Sequence, residues 1–180
     1  MELREDDKRE LLRFAREVVE AELSGKQAPE LSHATPLFEA AFGVFVTLWM
    51  DSELRGCIGY VEPRTPLRSA VEEVARKAAL EDPRFLPITP AELRKTMIEI
   101  SVLSPLEEVK EISGIEVGKH GLVVDAGHAR GLLLPQVPTE YGWDREQFLI
   151  HTCQKAGLPP DAWKQPHVKL FVFTTTTFSE

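Results

Sequence analysis

The chain has 180 residues, of which 43% are hydrophobic and 28% charged, and its formal net charge is −8 at pH 7. A chain of this length buries roughly 70% of its unfolded surface, so neither disulfides nor metals are needed to hold a core. The acidic balance argues against nucleic-acid binding, which depends on Lys and Arg side chains that neutralise phosphates.

Several classes of protein are excluded by simple features of the sequence. Cys57 and Cys153 are far apart and form no CxxC pair, which argues against a disulfide framework and a zinc knuckle. The charged start MELREDDKRELL has no apolar signal region, and the longest apolar run, AAFGVFVTLWM, is shorter than the ~20 residues of a membrane span. HExxH, GxGxxG and Walker patterns are absent, so we predict no metal and no cofactor. The expected setting is cytoplasmic, without a membrane segment.

The N-terminal third predicts a helix followed by a hairpin. Residues 6–25 (DDKRELLRFAREVVEAELSG) have apolar positions at helical spacing, with Asp7 and Glu10 as the expected cap pair. Residues 43–50 (GVFVTLWM) and 54–61 (LRGCIGYV) are rich in β-branched and aromatic residues. A short polar turn joins them, which is typical of a β-hairpin.

A second helix and a strand are expected next. Residues 65–83 (TPLRSAVEEVARKAALEDP) predict a helix that Thr65 caps and in which Pro66 takes the first helical position. TPAE, residues 89–92, matches a capping box that begins a short helical turn. The alternating segment 96–105 (TMIEISVLSP) predicts a half-buried strand.

The C-terminal part predicts strands around one long helix. Residues 121–125 and 131–137 are expected to pair through a glycine-containing loop. Residues 144–157 (DREQFLIHTCQKAG) predict a helix with a capping box at its start, and 167–180 (HVKLFVFTTTTFSE) one closing strand. Helices and hairpins alternate without a βαβ series, so we predict an α+β fold with a mainly antiparallel sheet flanked by helices.

The segment LRGCIG, residues 54–59, is the strongest candidate for a site, because a strand built only for packing rarely contains Arg, Cys and two glycines. Strand alternation places Arg55, Cys57 and Gly59 on one face. Arginine near a thiol favours the thiolate, so Cys57 is a candidate nucleophile and Arg55 a candidate anion holder. Gly56 and Gly59 permit close approach by a ligand or by a neighbouring strand.

The alternatives at these positions stay open. Free cysteine is commonly a small buried hydrophobe, and Arg55 is equally suited to pair with a core carboxylate. For Cys153, which lies on the apolar stripe of its predicted helix, we expect a structural role.

Four further residues are candidates outside this segment. His120 in GKHGL lies between glycines and is either an acid, base or ligand, or an exposed loop histidine. Gln136 and Glu140 follow an expected strand exit, where functional polar groups are common. Arg84, in the turn EDPRF, lines the site or folds back with Phe85 as a structural latch.

Taken together, six segments resemble the AMMECR family, whose prokaryotic form is the AmmeMemoRadiSam system protein A: LRGCIG (54–59), DPRF (82–85), SVLSP (101–105), GKHGL (118–122), RGLLLPQV (130–137) and FLIHTCQKAGLPPDAW (148–163). The resemblance implies a single AMMECR-like domain over 1–180, with a larger and a smaller subdomain but no clean sequence boundary. It further implies a cleft between them, to which LRGCIG contributes, and a genomic association with a Memo-type and a radical-SAM protein. It implies no particular reaction.

Two functions follow from these expectations. In the first, the protein is a cytoplasmic binding or accessory module that works with Memo-type and radical-SAM companions, or holds a small anionic ligand, through that cleft. In the second, it is an enzyme in which Cys57 is the nucleophile or redox thiol, Arg55 holds an anion and His120 is a possible base. The first is favoured because the sequence shows no recognisable nucleophile–base spacing.

Overall fold

Two four-stranded sheets organise the computed structural model, which describes residues 3–33 and 35–180. The chain divides into a first unit, Met1–Leu103 with Thr176–Glu180, and a second unit, Ser104–Thr175. Each unit has its own sheet, helices and hydrophobic core. The fold is α+β, with antiparallel sheets flanked by helices, which confirms the predicted fold class.

In its described residues, the first unit combines one sheet with four helices. Its strands are β1 (Gly43–Met50), β2 (Glu53–Tyr60), β3 (Thr96–Leu103) and β8 (Thr175–Ser179). They are arranged in the order β2-β1-β3-β8, so β2 is an edge strand. The helices are α1 (Glu5–Ser24), α2 (Pro36–Glu39), α3 (Leu67–Leu80) and α4 (Pro90–Leu93).

The core of the first unit lies against one face of this sheet. Alternate residues of β1 and β3 are fully buried, as the two-residue period of a strand requires: Val44, Val46, Leu48, Ile98, Ile100 and Val102. The apolar stripes of α1 and α3 fill the same cluster, with Leu11, Ala15, Val19, Val71, Val74 and Ala75 fully buried. This packing anchors the two central strands beside which β2 lies.

The β1–β2 hairpin turns tightly and contains a bulge. Asp51 and Ser52 have φ angles of 52° and 65°, the left-handed pair that a two-residue type I′ turn needs. Leu48 lies opposite Gly56 whereas Trp49 lies opposite Leu54, so Arg55 is an extra residue in β2. The expected uninterrupted alternation of the segment is therefore wrong at Arg55, because the bulge moves Leu54 to the face that carries Cys57.

The second unit has a smaller sheet and two α-helices. Its strands are β4 (Glu107–Glu108), β5 (Gly121–Asp125), β6 (Arg130–Leu133) and β7 (Lys169–Phe173), in the order β4-β7-β5-β6. Its helices are α5 (Gln136–Glu140) and α6 (Arg145–Lys155), and short 3₁₀ turns cover Ile112–Gly114 and Ala162–Lys164. Its core contains Leu122, Val124, Phe148, Leu149 and Cys153, all fully buried. The structural role expected for Cys153 is confirmed.

Local signals placed most elements correctly, with shifts at their ends. The capping boxes at Thr89 and Asp144 are present as predicted. In α1, however, the capping pair is Arg4 with Asp7, because the helix begins at Glu5. The helix expected from Pro66 begins one residue later, at Leu67.

Two expectations for the C-terminal strands are wrong. The strand predicted over 131–137 ends at Leu133, because Pro135 cannot donate to a ladder and a short helix begins at Gln136. The single closing strand over 167–180 is two strands in different sheets, β7 in the second unit and β8 in the first. Within the described ranges, none of the helices combines the length and apolar character that crossing a bilayer requires.

Candidate functional site

Cys57 lies on the edge strand β2 and is half-buried. It pairs with Thr47 of β1, whose hydroxyl Oγ1 donates a hydrogen bond to the Cys57 sulfur at 3.2 Å. Cys57 is thus not fully buried, and among the described residues of the first unit the hydrogen-bond partner of its sulfur is a hydroxyl and not a base.

The turn that follows α3 clamps the backbone of Cys57. The Cys57 amide donates to Asp82 Oδ2 at 2.9 Å, and Arg84 Nη2 donates to the Cys57 carbonyl at 3.0 Å. An edge strand exposes unpaired backbone groups of this kind. The two side chains satisfy them as a neighbouring strand would, which fixes the strand at the position of the thiol.

Asp82 is the buried electrostatic centre of this clamp, with a side chain that is only 2% exposed. Its carboxylate accepts hydrogen bonds from the backbone amide, Nε and Nη2 of Arg84. The Arg84 side chain, followed by the amides of Cys57 and Arg84, holds the pKa of Asp82 well below its usual range, although burial opposes this. Asp82 is therefore ionised at neutral pH, and the Arg84 side chain folds back onto it.

Arg55 is held in place by a second ion pair. Its Nε donates to Glu92 Oε1 at 3.1 Å, and its side chain is only 12% exposed. Glu92 also accepts from the amide and hydroxyl of Thr89, and these bonds together with Arg55 lower the pKa of Glu92 to about 2. Arg55 is thus an ion-pair partner. The carboxylate that it pairs with belongs to Glu92, a partly exposed helix-cap residue, and not to a core residue.

The two glycines of the segment are explained by packing. A Cβ on Gly56 would lie 2.2 Å from the carbonyl oxygen of Ala78 in α3. A Cβ on Gly59 would lie 2.2 Å from Cδ1 of Phe45, whose ring covers the glycine from the paired position on β1. Neither position has room for a side chain: Gly59 packs against the neighbouring strand, as one of the two sequence interpretations allowed, whereas Gly56 packs against helix α3. Their predicted contribution to a ligand site stays a prediction.

His120, Gln136 and Glu140 belong to the second unit. His120 Nδ1 accepts the backbone N–H of Glu116 at 3.1 Å and so closes the turn before β5. Gln136 and Glu140 are the first and last residues of α5 and are exposed. Because Cys57 belongs to the first unit, its expected pairing with His120 stays a prediction, as do the roles of Gln136 and Glu140.

Sequence reasoning missed three residues that surround the segment: Thr47, Asp82 and Glu92. Thr47 gave no signal, since threonine is common in strands. Glu92 was predicted only as a cap residue. Asp82 carried the clearest available signal, because an aspartate before proline, two residues from an arginine, favours a turn closed by its own side chain. Among the residues that the structure describes, no three His, Cys, Asp or Glu side chains are placed to hold a metal.

Comparison with known proteins identifies the family of this chain. The AMMECR1 family model matches residues 12–178. The chain belongs to the AMMECR1 family. The resemblance drawn from the sequence segments is thereby confirmed at the level of the family.

Relatives of this AMMECR1-family chain match over nearly their whole length. A protein of Methanocaldococcus jannaschii is 46% identical over 177 residues, which cover 94% of this chain and 88% of the relative. An Aquifex aeolicus protein is 42% identical and covers 97% of this chain and 93% of its own. The crystal structure of an uncharacterized protein from Pyrococcus horikoshii matches with a TM-score of 0.83 and 42% identity, over 94% of this chain and 89% of that one.

Proposed function

We propose that this AMMECR1-family protein is a binding or accessory module that works with Memo-type and radical-SAM companions through the surface around Cys57. The observation that carries the proposal is that the polar side chains around Cys57 in the first unit are already hydrogen-bonded. Asp82 and Arg84 are committed to the backbone of Cys57, and the sulfur is bonded to a hydroxyl. A threonine hydroxyl is a donor to the sulfur and not a base, so the arrangement favours presentation of a surface over proton transfer.

Exposed groups beside the clamp are of the type found in protein interfaces. Leu86, next to the clamp, is 84% exposed, and the side chain of Arg84 is 52% exposed. Phe85 between them is half-buried. Arginine and aromatic residues are enriched in interfaces, where apolar anchors supply most of the binding energy.

The test is direct binding of the purified protein to Memo-type and radical-SAM proteins from the same genome, measured by calorimetry. Leu86→Asp is expected to weaken binding by at least about tenfold, because a charge replaces an exposed apolar anchor. Tyr141→Asp is the matched control, since Tyr141 is 68% exposed in the second unit and its replacement leaves the affinity unchanged. A wild-type protein that binds neither companion contradicts the proposal.

An enzyme that uses Cys57 is the second candidate, and the partial exposure of Cys57 on the edge strand favours it. In this candidate Cys57 is the nucleophile or redox thiol, Arg55 holds an anion and His120 is a possible base. Because Nδ1 of His120 accepts the Glu116 amide, the neutral ring carries its proton on Nε2, so the ring must release this hydrogen bond before Nδ1 takes up a proton. The fully buried Cys153 does not compete with Cys57 as a reactive thiol.

Alkylation by iodoacetamide between pH 5 and 10 distinguishes the two candidates. An enzyme nucleophile is expected to react faster than Cys57 in the unfolded chain, with the rate rising at lower pH than it does there. Thr47→Val is expected to reduce this advantage by removing the donor to the sulfur. Mass spectrometry follows the two cysteines separately. If the alkylation rate of Cys57 depends on pH in the same way in the native and the unfolded protein, the enzyme candidate is contradicted and the binding module is not.

A further inference from the structure

Two arginine side chains lie against the ring of Phe85. The Cζ atoms of Arg55 and Arg84 are 5.9 and 5.5 Å from the ring centroid, within the range of cation–π contacts. Arg84 also bonds the carbonyl of Cys57, and Arg55 is two residues from Cys57 on β2. The arginine pair, defined as Arg55 and Arg84 on Phe85, therefore lies beside the backbone of β2 at Cys57.

The arginine pair keeps unused hydrogen-bond donors. Each guanidinium has five N–H groups. Arg55 uses Nε for Glu92, whereas Arg84 uses Nε and Nη2 for Asp82 and the Cys57 carbonyl. Within residues 3–33 and 35–180, the structure shows no partner for Nη1 and Nη2 of Arg55 or for Nη1 of Arg84. These atoms are also not among the buried unpaired polar atoms of that part of the chain, so they reach solvent.

The carboxylates hold the cations in position without covering these donors. Asp82 is buried and Glu92 is 31% exposed, and each bonds its arginine through Nε. The Arg55 side chain is 12% exposed, so its guanidinium is partly desolvated while its two Nη atoms still reach solvent. A planar guanidinium fork binds the two oxygens of a carboxylate or phosphate with directed N–H bonds. Each arginine and its carboxylate together have no net charge, so recognition of an anion depends on these directed hydrogen bonds.

We infer that Arg55 and Arg84, held on Phe85, bind an oxyanion, a carboxylate or phosphate group, of a ligand that lies beside Cys57. The inference rests on the proposed binding function and deepens it, because it names the chemistry that the ligand presents. The ion pairs seen in the protein are then supports that orient the two cations, and Phe85 is the platform that they share.

The thiol of Cys57 serves as the reporter in the test. Iodoacetate carries a carboxylate and iodoacetamide is neutral, but both alkylate the same thiolate, so the ratio of their rates cancels the reactivity of the sulfur. At low ionic strength, the rate with iodoacetate divided by the rate with iodoacetamide is expected to be about threefold higher for native Cys57 than for the unfolded chain, because the guanidinium donors bind the carboxylate of iodoacetate. Inorganic phosphate or succinate is expected to return the ratio to the unfolded value, more effectively than chloride at equal ionic strength. The competitor that acts at the lower concentration identifies the oxyanion.

Variants separate recognition from general charge. Arg55→Gln is expected to abolish the iodoacetate preference, and Arg55→Lys to retain only part of it, because lysine keeps the charge without the planar fork. Arg68→Gln is the control, since Arg68 is a half-exposed arginine paired with Glu39 elsewhere in the first unit, and it keeps the full preference. Circular dichroism checks that each variant is folded.

The result that overturns the inference is a native ratio equal to the unfolded ratio, or a preference that survives in folded Arg55→Gln. If Arg55→Gln does not fold, competition by phosphate and succinate on the unaltered protein decides the question, and competitors no stronger than chloride overturn it. Companion binding that persists without an iodoacetate preference rejects only the oxyanion site. If the iodoacetate preference is found but the protein binds neither companion, only the proposed function is rejected.

Discussion

Asp82→Ala is expected to lower the free energy of unfolding by about 3 kcal/mol. The buried carboxylate accepts the amide of Cys57 and three donors of Arg84, so its removal leaves the edge-strand amide without a partner and the Arg84 guanidinium with only the Cys57 carbonyl. Because half of the Arg84 side chain is exposed, water replaces part of what the guanidinium loses, and the part-buried amide of Cys57 contributes most of the cost. Urea unfolding followed by circular dichroism measures the difference.

The matched control is Asp6→Ala. Asp6 also pairs with an arginine, Arg9, but both side chains are about three-quarters exposed, so its loss is expected to change stability by no more than about 0.5 kcal/mol. An effect of Asp82→Ala as small as that of the control would contradict the buried clamp.

The pH dependence of the Asp82 effect follows from the direction of its pKa. Folding lowers this pKa, so the carboxylate stabilises the folded protein above the ordinary aspartate value of about 3.9. That stabilisation is lost as the pH falls through the lowered pKa. The difference between wild type and Asp82→Ala is therefore expected to be full at neutral pH and to shrink toward strong acid. A difference that grows as the pH falls would contradict this assignment.

Gly56→Ala is expected to destabilise the protein by about 3 kcal/mol. The added Cβ would lie 2.2 Å from the carbonyl oxygen of Ala78, a backbone atom in the last turn of α3. Neither the strand nor the helix can yield without disturbing the fully buried residues beneath them. The loss is expected in the protein without any ligand, which separates a packing role from a glycine kept for ligand approach. Thermal and urea unfolding both report it.

Gly114→Ala provides the comparison for this substitution. The nearest atom to an added Cβ there is Cγ1 of Val109 at 3.8 Å, an ordinary contact, and Gly114 does not have a left-handed φ angle. Its replacement is expected to change stability by no more than about 0.5 kcal/mol. If Gly56→Ala were as mild as Gly114→Ala, β2 would not be packed tightly on α3.

Both predictions concern the same piece of structure. Gly56 lets β2 lie directly on α3. Asp82 and Arg84 follow the same helix in sequence, and their side chains cover the outer edge of β2 at Cys57. The thiol is therefore held from the helix side and from the turn. A surface fixed in this way loses little conformational entropy when it binds a partner, which is consistent with the proposed binding module.

Local sequence determined the elements whose contacts are close in the chain. The capping boxes that begin α4 and α6 join residues three positions apart, and the polar pair Asp51–Ser52 closes a two-residue turn. Such interactions form within a few residues, so the pattern alone specifies them. The same holds for the apolar stripes of α1 and α3, whose period identifies the buried face before any partner is known.

Only the tertiary structure decided how these elements meet. Asp82 reaches Cys57 across 25 residues and Glu92 reaches Arg55 across 37, and nothing in either segment names its partner. The tail divides between two sheets because β7 and β8 pair with strands of different units, although its alternation is continuous. A strand's period specifies its faces, but its neighbours and the groups that cover its edge depend on the packing of distant elements.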